Sequence, residues 1–207
     1  NISNGLSCWR FVGNLALGWT YEPLALQGDD GPFAVVSVTY DRVHAVGFGG
    51  ELYRWDGNGT AQLVTGLEGM AWTSVAGNAF GSHEACGIHG DDGQLSCWGW
   101  NEWGELVTYG APEGTDWQVV SIAGDRACGL HGDQALSCWS AMEFEAGEAV
   151  PTPSHTGWTA VSAGGMQACG IHGDGELACW WLWGGSGGGA VPTPVGAHWA
   201  SVTVGDG

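Results

Sequence analysis

The chain has no lysine and only 4 arginines among its 207 residues, against 22 aspartates and glutamates, so its formal net charge is −18. Nucleic-acid grooves and anionic membrane surfaces are recognised by clusters of Lys and Arg. Four scattered arginines cannot form such a cluster. The sequence therefore predicts no nucleic-acid partner.

Long apolar runs are also missing. No stretch reaches the roughly 18 apolar residues of a membrane-spanning helix, so we expect no transmembrane segment. Residues 1–5 lack the basic start and apolar stretch of a signal peptide, which fits a mature product or a piece of a longer protein. Glycine (39) and tryptophan (14) are abundant instead. No Gly-X-Y period accompanies the glycines, and the aromatic content argues against disorder.

Internal repeats organise the sequence. The pattern Cys-Gly-aliphatic-His-Gly-Asp, followed by Cys-Trp, occurs at 86–98, 128–139 and 169–180, with a degenerate copy at 33–55. The aromatic that opens each unit is Phe33, Trp72, Trp117, Trp158 and Trp199, and the tryptophan that closes each is Trp9, Trp55, Trp98, Trp139 and Trp180. Both series keep a period of roughly 41 residues, which is typical of β-propeller blades.

The segments within a unit are short and rich in Val, Ile and Ala, which indicates strands. If Cys169 faces Cys179, then Ile171 faces Leu177 and Gly-Asp-Gly remains as a three-residue hairpin turn. The other two units give turns of three and four residues. Each unit is therefore predicted to be an antiparallel sheet of three or four strands, and the fold class is all-β.

We interpret residues 1–207 as a single β-propeller domain. Its blades are predicted at approximately 33–71, 72–116, 117–157 and 158–198, with a fifth blade split between 199–207 and 1–32. That split blade lacks a second strand with a partner for Cys8. The alternative is a fragment of a longer propeller with up to seven blades.

The pattern Trp-x-x-Val-x-Ala-Gly, followed by Cys-Gly-Ile-x-x-Asp-Gly-x-Leu-x-Cys-Trp, resembles the repeat of the regulator of chromosome condensation family, especially its cysteine-containing variant in secreted bacterial proteins. The resemblance covers nearly the whole chain and is specific from Trp72 to Trp183. It implies a propeller, often with seven blades. The degenerate unit, with His-Ala-Val and Glu-Leu-Tyr-Arg-Trp, also resembles tectonin and tachylectin repeats, whose best-known members are lectins.

Six of the seven cysteines form pairs in this register. The pairs are Cys86–Cys97, Cys128–Cys138 and Cys169–Cys179. Opposed residues in a non-hydrogen-bonded antiparallel pair are close enough for a disulfide. Buried thiols or zinc are the alternatives, but zinc needs four converging ligands. Disulfides predict a secreted protein, extracellular or periplasmic, at the cell surface. Cys8 is then free or bridged elsewhere.

Other candidate sites have simpler interpretations. His89, His131 and His172 recur at equivalent positions, but in separate blades, so we expect structural or surface roles and no metal. The Asp residues beside them are favoured in turns. Ser186 lies in a Gly-x-Ser-x-Gly match without the strand-turn-helix context of a nucleophile. We predict no catalytic residue and no cofactor. Asn1 and Asn58 begin glycosylation sequons.

Surplus aromatics remain, just after the closing tryptophans and in Gly-rich loops. The candidate binding residues are Trp100, Asn101, Trp103, Phe144, Trp181 and Trp183, rimmed by Glu102, Glu105, Glu143 and Glu145. Exposed aromatics often mark binding sites; the alternative is that they pack between blades. The sequence favours a non-catalytic propeller that binds a protein or is a structural subunit of a larger extracellular assembly. A carbohydrate-binding, lectin-like module is the second possibility.

Overall fold

The structure is a computed structural model, and it describes residues 8–14, 18–24, 33–38, 42–55, 61–78, 85–141, 147–183, 189–196 and 198–205. All its regular elements in these ranges are β-strands, which confirms the predicted all-β class. A two-stranded sheet comes first in the chain, and four four-stranded sheets, here called sheets I to IV, follow it.

The strands alternate with short turns along the chain. The two-stranded sheet contains β1 (Cys8–Asn14) and β2 (Gly18–Leu24). Sheet I contains β3 (Phe33–Val38), β4 (Val43–Gly47), β5 (Leu52–Trp55) and β6 (Ala61–Leu63). Sheet II contains β7 (Trp72–Gly77), β8 (Ala85–His89), β9 (Gln94–Trp100) and β10 (Leu106–Tyr109). Sheet III contains β11 (Trp117–Ala123), β12 (Arg126–His131), β13 (Ala135–Ser140) and β14 (Ala149–Val150). Sheet IV contains β15 (Trp158–Gly164), β16 (Gln167–His172), β17 (Glu176–Trp181) and β18 (Ala190–Val191).

Each four-stranded sheet is an antiparallel meander in which every strand pairs with its chain neighbours. The predicted register is correct: Cys169 pairs with Cys179 and Ile171 with Leu177, and the other two units pair their cysteines in the same way. The first two strands also shift register directly after the opening aromatic in all four sheets, which marks a β-bulge there. One strand pattern is therefore repeated four times.

Three disulfides join the second and third strands. Cys86–Cys97, Cys128–Cys138 and Cys169–Cys179 each have a Cα–Cα distance of 4.0 Å, and the structure confirms the predicted pairs. The glycine after the first cysteine of each pair lies under the opening tryptophan. A Cβ built on Gly129 would come within 2.8 Å of the Trp117 ring, and one on Gly170 within 2.5 Å of the Trp158 ring. The Cys-Gly pair thus carries a crosslink and makes room for a ring.

The core lies between successive sheets. Trp117 and Trp139 of sheet III pack in one cluster with the Cys86–Cys97 disulfide of sheet II. Sheets III and IV repeat this arrangement, with Trp158 and Trp180 packed in the same cluster as the Cys128–Cys138 disulfide. The sides of sheets II and III that carry the disulfides therefore face the next sheet along the chain.

Sheet I has no disulfide, and a different contact fills the same place. His44 and Arg54 occupy the paired positions where the other sheets have cysteines. His44 is 1% exposed and stacks on the ring of Trp100 in sheet II, with 6.2 Å between ring centroids. The Arg54 guanidinium lies 4.5 Å from the centroid of the same ring. A cationic and aromatic stack therefore replaces the disulfide at this interface.

Serine hydroxyls link the first strands of neighbouring sheets. The Ser37 hydroxyl accepts a hydrogen bond from the Gly77 N–H, and the Ser121 hydroxyl accepts one from the Ala163 N–H, both at 2.9 Å. Sheet II has Ala76 at the equivalent position. There the side chain of Asn78, which is fully buried, bridges to the next sheet instead.

The Asn78 bridge is bidentate. Its Oδ1 accepts a hydrogen bond from the Gly124 N–H at 3.0 Å, and its Nδ2 donates to the Gly124 carbonyl at 2.5 Å. Gly124 lies in the turn between the first two strands of sheet III. An amide that satisfies one backbone donor and one backbone acceptor thus replaces the missing serine contact.

The C-terminal segment 198–205 lies against sheet IV without belonging to a strand. The Val204 N–H donates to the Ser162 hydroxyl at 3.1 Å, as the first strands of neighbouring sheets do elsewhere. β1 and β2 pair with each other, from Cys8 opposite Leu24 to Asn14 opposite Gly18. The predicted split blade, formed by 199–207 and 1–32, stays a prediction.

Candidate interaction face

The predicted binding residues follow the third strands of the sheets. In an antiparallel meander, the turn between strands two and three and the connection between strands three and four lie at opposite ends of the sheet. Because the four sheets share strand order and register, their three-to-four connections leave equivalent ends. We call the surface that carries the described residues 101–105 of sheet II and 182–183 of sheet IV the aromatic face. The hairpin turns, including the one with Phe48, lie at the other end.

Trp103 is the most exposed tryptophan of this group. Its side chain is 80% exposed, and it lies in the turn between β9 and β10. Asn101 fixes that turn: its Oδ1 accepts hydrogen bonds from the N–H groups of Trp103 and Glu105 at 3.1 and 2.9 Å. The Asn101 Nδ2 also donates to the Glu105 carboxylate at 3.0 Å. The turn therefore presents a large aromatic ring to solvent on a well-bonded backbone.

Asn101 was predicted to be a binding residue, and the structure gives it these turn contacts. Its backbone N–H donates to the Glu105 carbonyl, and its carbonyl accepts from the Gly104 N–H. Gly104 has a φ of 77°, a left-handed conformation that glycine adopts without strain. Asn101 thus positions Trp103, and its two side-chain polar atoms already have partners within the turn.

Trp100 has a different environment from Trp103. It is the last residue of β9, not part of a loop, and it is partly buried. Its ring packs against His44, and the guanidinium groups of Arg42 and Arg54 lie 4.8 and 4.5 Å from the ring centroid. The packing alternative applies to this residue. The sequence contains a signal for this packing: Trp100 lies two residues after the buried Trp98, and residues two apart in a strand point to the same side.

Trp183 lies on the connection after the third strand of sheet IV and is 43% exposed. The Arg126 guanidinium of sheet III lies 4.7 Å from the centroid of its ring. Arg126 is itself held by a salt bridge to Asp125 at 3.2 Å and by a hydrogen bond to the Ser140 hydroxyl at 2.9 Å. Sequence reasoning missed this support, since Arg126 is more than 50 residues away in the chain.

Trp181 ends β17 and is 40% exposed. Ser140 occupies the equivalent position in sheet III, where it is 1% exposed because sheet IV follows. Trp181 therefore lies on the flank of sheet IV that faces away from sheet III. Its exposure has a different origin from that of Trp103 and Trp183.

Phe144, Glu143 and Glu145 lie outside the described residues, as do Ser186 and both sequon asparagines. Glu102 and Glu105 are exposed on either side of Trp103, so the rim of this turn is acidic. The structure brings Asn101, Trp103 and these two carboxylates into one turn. Trp183 and Trp181 belong to sheet IV.

The three repeated histidines pack beneath the opening tryptophans. His89 and His131 lie 4.7 and 4.6 Å from the ring centroids of Trp72 and Trp117. Each also shares a hydrogen bond of 2.8 Å with a serine of the third strand. Within the described ranges, no group of three or more His, Cys, Asp or Glu side chains is placed to hold a metal ion. Within the same ranges, no helix is long and apolar enough to span a membrane.

His172 has one further neighbour. The exposed ring of His155 stacks on it at a centroid distance of 4.1 Å, with an angle of 6° between the ring planes. Burial lowers the pKa of His172, and the nearby His155 lowers it further, while Glu176 acts in the opposite direction. Burial also lowers the pKa of His89, opposed by Asp92. Both environments therefore favour neutral imidazoles.

No protein-family model matches the sequence, and no curated protein matches it either. Solved structures do match. Human WBSCR16 superposes with a TM-score of 0.61 at 16% identity, over 77% of this chain and 50% of that one. Prp20p, the yeast RCC1 of Saccharomyces cerevisiae, gives 0.55 at 13% identity, over 78% of this chain and 48% of that one. The fold is a β-propeller.

A third similar structure is the CRINKLY WD40 ectodomain of the Arabidopsis thaliana receptor kinase ACR4, with a TM-score of 0.59 at 18% identity over 83% of this chain. The Prp20p structure is described together with that protein's binding to Gsp1p and histones. The present chain spans about half the length of WBSCR16 and Prp20p. At these identities the likeness establishes the propeller architecture. The secreted bacterial variant and the tectonin likeness stay predictions.

Proposed function

We propose that this propeller is a non-catalytic binding module that holds a protein partner on its aromatic face. The observation that carries the proposal is the 80% exposure of Trp103 on a turn fixed by its own hydrogen bonds. A turn whose backbone is already hydrogen-bonded before binding loses little backbone conformational entropy on association. Tryptophan is one of the residue types that are enriched among the hot spots of protein interfaces.

Trp183 supports the same proposal. Arg126 covers one side of its ring, and the residue is still 43% exposed. The ring is thus supported from within the propeller, and a partner could cover what is left open. Two anchors on the connections of sheets II and IV would suit a partner that spans more than one blade.

Charge indicates the chemistry of that partner. Glu102 and Glu105 are exposed beside Trp103, and the whole chain carries a formal net charge of −18. An acidic surface accelerates encounters with basic partners and repels acidic ones. We therefore propose a partner with an apolar pocket surrounded by Lys or Arg.

The disulfides support a location of the protein outside the reducing cytosol. Three disulfides in one small chain are typical of secreted and periplasmic proteins. Two of them, Cys86–Cys97 and Cys128–Cys138, are buried between sheets, where they contribute to the propeller's core. We accordingly propose a secreted, extracellular or periplasmic protein, with a role as an interaction or structural subunit of a larger assembly.

The test is comparative capture of proteins from the source organism's extracellular fraction. Immobilised wild-type chain is compared with Trp103→Ala, Trp183→Ala and the control Phe48→Ala. Phe48 is 71% exposed but lies in a hairpin turn, at the opposite end of its sheet. A partner bound at the aromatic face should be retained by Phe48→Ala and weakened about 30-fold or more by Trp103→Ala, since a hot spot contributes about 2 kcal/mol or more.

Equal retention by all four proteins would refute the proposal, provided that their thermal unfolding is unchanged. A loss with Phe48→Ala alone would place the binding surface at the opposite face.

Carbohydrate binding is the second candidate. Exposed tryptophan rings can also stack on sugar rings, and Trp103 and Trp183 both present such surface. A glycan array with the wild-type chain and the same three variants separates the two functions. Saturable glycan binding that disappears in Trp103→Ala or Trp183→Ala, without a protein captured by the same surface, would favour the lectin-like module.

A further inference from the structure

A cavity of about 280 Å³ lies between the β4–β5 hairpin turn of sheet I and the connection that leads to sheet II. The connection is bonded to the hairpin at two points. The Val64 N–H donates to the Leu52 carbonyl at 2.9 Å. The Trp72 N–H donates to the Gly50 carbonyl, also at 2.9 Å. Between these two bonds the connection and the hairpin stand apart, and their side chains line the cavity on both sides.

The lining of this cavity comes from a single repeat unit. All of it lies within residues 49–71, so the cavity is not on a flank where another sheet would pack. A cavity of about 360 Å³ occupies the corresponding place in sheet II, between the start of β9 and the connection to sheet III. Its lining differs: Gln94 stands there where sheet I has Glu51. The blade fold thus provides the space, and the side chains of sheet I give it a particular chemistry.

The floor of the cavity in sheet I is apolar. Leu52, Val64 and Leu67 line it and are only 3%, 3% and 5% exposed. Leu63 also belongs to the lining and is 49% exposed, so apolar surface continues to the solvent. Burial of methylene groups against such a surface is favourable. The cavity therefore suits a ligand that carries a hydrocarbon chain.

Two carboxylates line the same cavity, Glu51 from the hairpin and Glu68 from the connection. A Cβ on Gly49 would meet both carboxylate oxygens of Glu51, so this side chain folds back over its own turn. The Glu68 carboxylate accepts a hydrogen bond from the Gly66 N–H at 2.7 Å, which holds it in place. Within the described ranges, neither carboxylate is paired with a cation. An apolar floor is thus combined with two negative groups from different walls.

We propose that this cavity binds a lysine side chain of a partner protein. The four methylene groups of the lysine pack on the leucine and valine floor, and its ammonium group binds Glu51 and Glu68. An ammonium group has three rotatable N–H donors and can serve carboxylates from two walls, whereas the planar guanidinium group of arginine matches one carboxylate in a bidentate pair. The site lies at the hairpin end of the sheets, opposite the aromatic face, and shares no residue with it.

The probe is Nα-acetyl-L-lysine methylamide, and its binding is followed in proton–nitrogen correlation NMR spectra of the 207-residue chain. We expect saturable shifts of the Gly49, Gly50 and Gly69 amides, which line the cavity, at roughly millimolar probe. The Gly114 amide, in the corresponding cavity of sheet II, should not shift. The norleucine analogue keeps the hydrocarbon chain and lacks the ammonium group, and it should bind at least about tenfold more weakly.

Two substitutions test the role of charge. Glu51→Gln copies the residue that sheet II carries and should weaken binding of the lysine probe by about threefold or more. The matched control is Glu148→Gln, which removes the same charge from an exposed position beside β14 and should leave binding unchanged. Equal thermal unfolding of both variants shows that the fold is intact.

Several results would overturn the proposal. They are the absence of saturable shifts at the three glycine amides, equal binding of the norleucine analogue, and unchanged binding to Glu51→Gln. Equal or tighter binding of the arginine analogue would refute the choice of lysine. Shifts that spread over the acidic surface without saturating would mean attraction to the net charge alone. Because no residue of the aromatic face is involved, failure here leaves the proposed function untouched, and the reverse also holds.

Discussion

Replacing Asn78 by alanine should destabilise the propeller more than removing any one of the serine contacts between its sheets. The Asn78 amide is fully buried and serves both the N–H and the carbonyl of Gly124. A net hydrogen bond contributes about 0.5–1.5 kcal/mol, and a buried group left without a partner costs about 1–3 kcal/mol. Two lost hydrogen bonds, which leave the N–H and the carbonyl of Gly124 unpaired, give a loss of about 3 kcal/mol for Asn78→Ala.

The matched control is Ser121→Ala, which removes a single hydroxyl acceptor, the one used by the Ala163 N–H. We expect a loss of about 1 kcal/mol there. For a chain of this size, each kcal/mol lowers the melting temperature by about 2–4 °C. Asn78→Ala should therefore melt roughly 6–12 °C below the wild-type chain, and Ser121→Ala about 2–4 °C below it.

Urea unfolding under non-reducing conditions measures both variants, with the denaturant slope as a check that the unfolded state is unchanged. A second substitution tests the repeat logic. Ala76→Ser restores the hydroxyl that the other sheets carry, and it should recover part of the stability lost in Asn78→Ala. If Asn78→Ala loses no more than Ser121→Ala, the bidentate bridge does not hold sheets II and III together.

Three further predictions follow from other contacts. The pKa of His172 is lowered in the folded chain, so the unfolded chain binds the imidazole proton more tightly. The free energy of unfolding should therefore be highest above the ordinary pKa of 6.5 and should decrease as the pH falls below 6.5 toward the lowered folded pKa. Urea midpoints measured between about pH 7.5 and about pH 5 should show this decrease in the wild-type chain and a weaker one in His172→Gln. Cys169 is partly exposed on the open flank of sheet IV, while Cys86 is fully buried, so alkylation and mass spectrometry during mild reduction should label the Cys169–Cys179 pair before the Cys86–Cys97 pair. Gly129→Ala should lower the free energy of unfolding by about 1–3 kcal/mol, because its methyl group meets the Trp117 ring. Urea unfolding measures this loss, and an unchanged midpoint would contradict that contact.

Much of the fold could be predicted because its constraints are local and repeated. The two cysteines of each hairpin fix the register, since opposed residues must lie within disulfide distance, and Gly-Asp-Gly or similar turns fix the loop. The period of the tryptophans then fixes how the hairpins succeed one another. Residues 169–179 therefore gave the correct strand pairing from the sequence alone.

The contacts between sheets could not be predicted, because they depend on three-dimensional neighbours. Asn78 and Gly124 are 46 residues apart, and Asn78 does not belong to the repeated motif. Trp100 was interpreted as a candidate binding residue because it follows a marker tryptophan. Its ring in fact packs on the substituted cysteine positions of sheet I, His44 and Arg54. The loss of both cysteines in sheet I and the extra tryptophan in sheet II are connected, because the cysteine positions of one sheet face the next sheet.

Comparison of the repeats distinguishes the tryptophans that form the core from the candidate binding residues. Trp98, Trp139 and Trp180 occupy one repeated position and are fully buried, so replacing any of them would damage the core. Trp103 belongs to a turn that sheets I, III and IV do not share in sequence, and it contributes little buried area. Substitutions at Trp103 should therefore change binding without changing folding. That independence is what allows one repeated scaffold to carry a partner-specific surface on its connections.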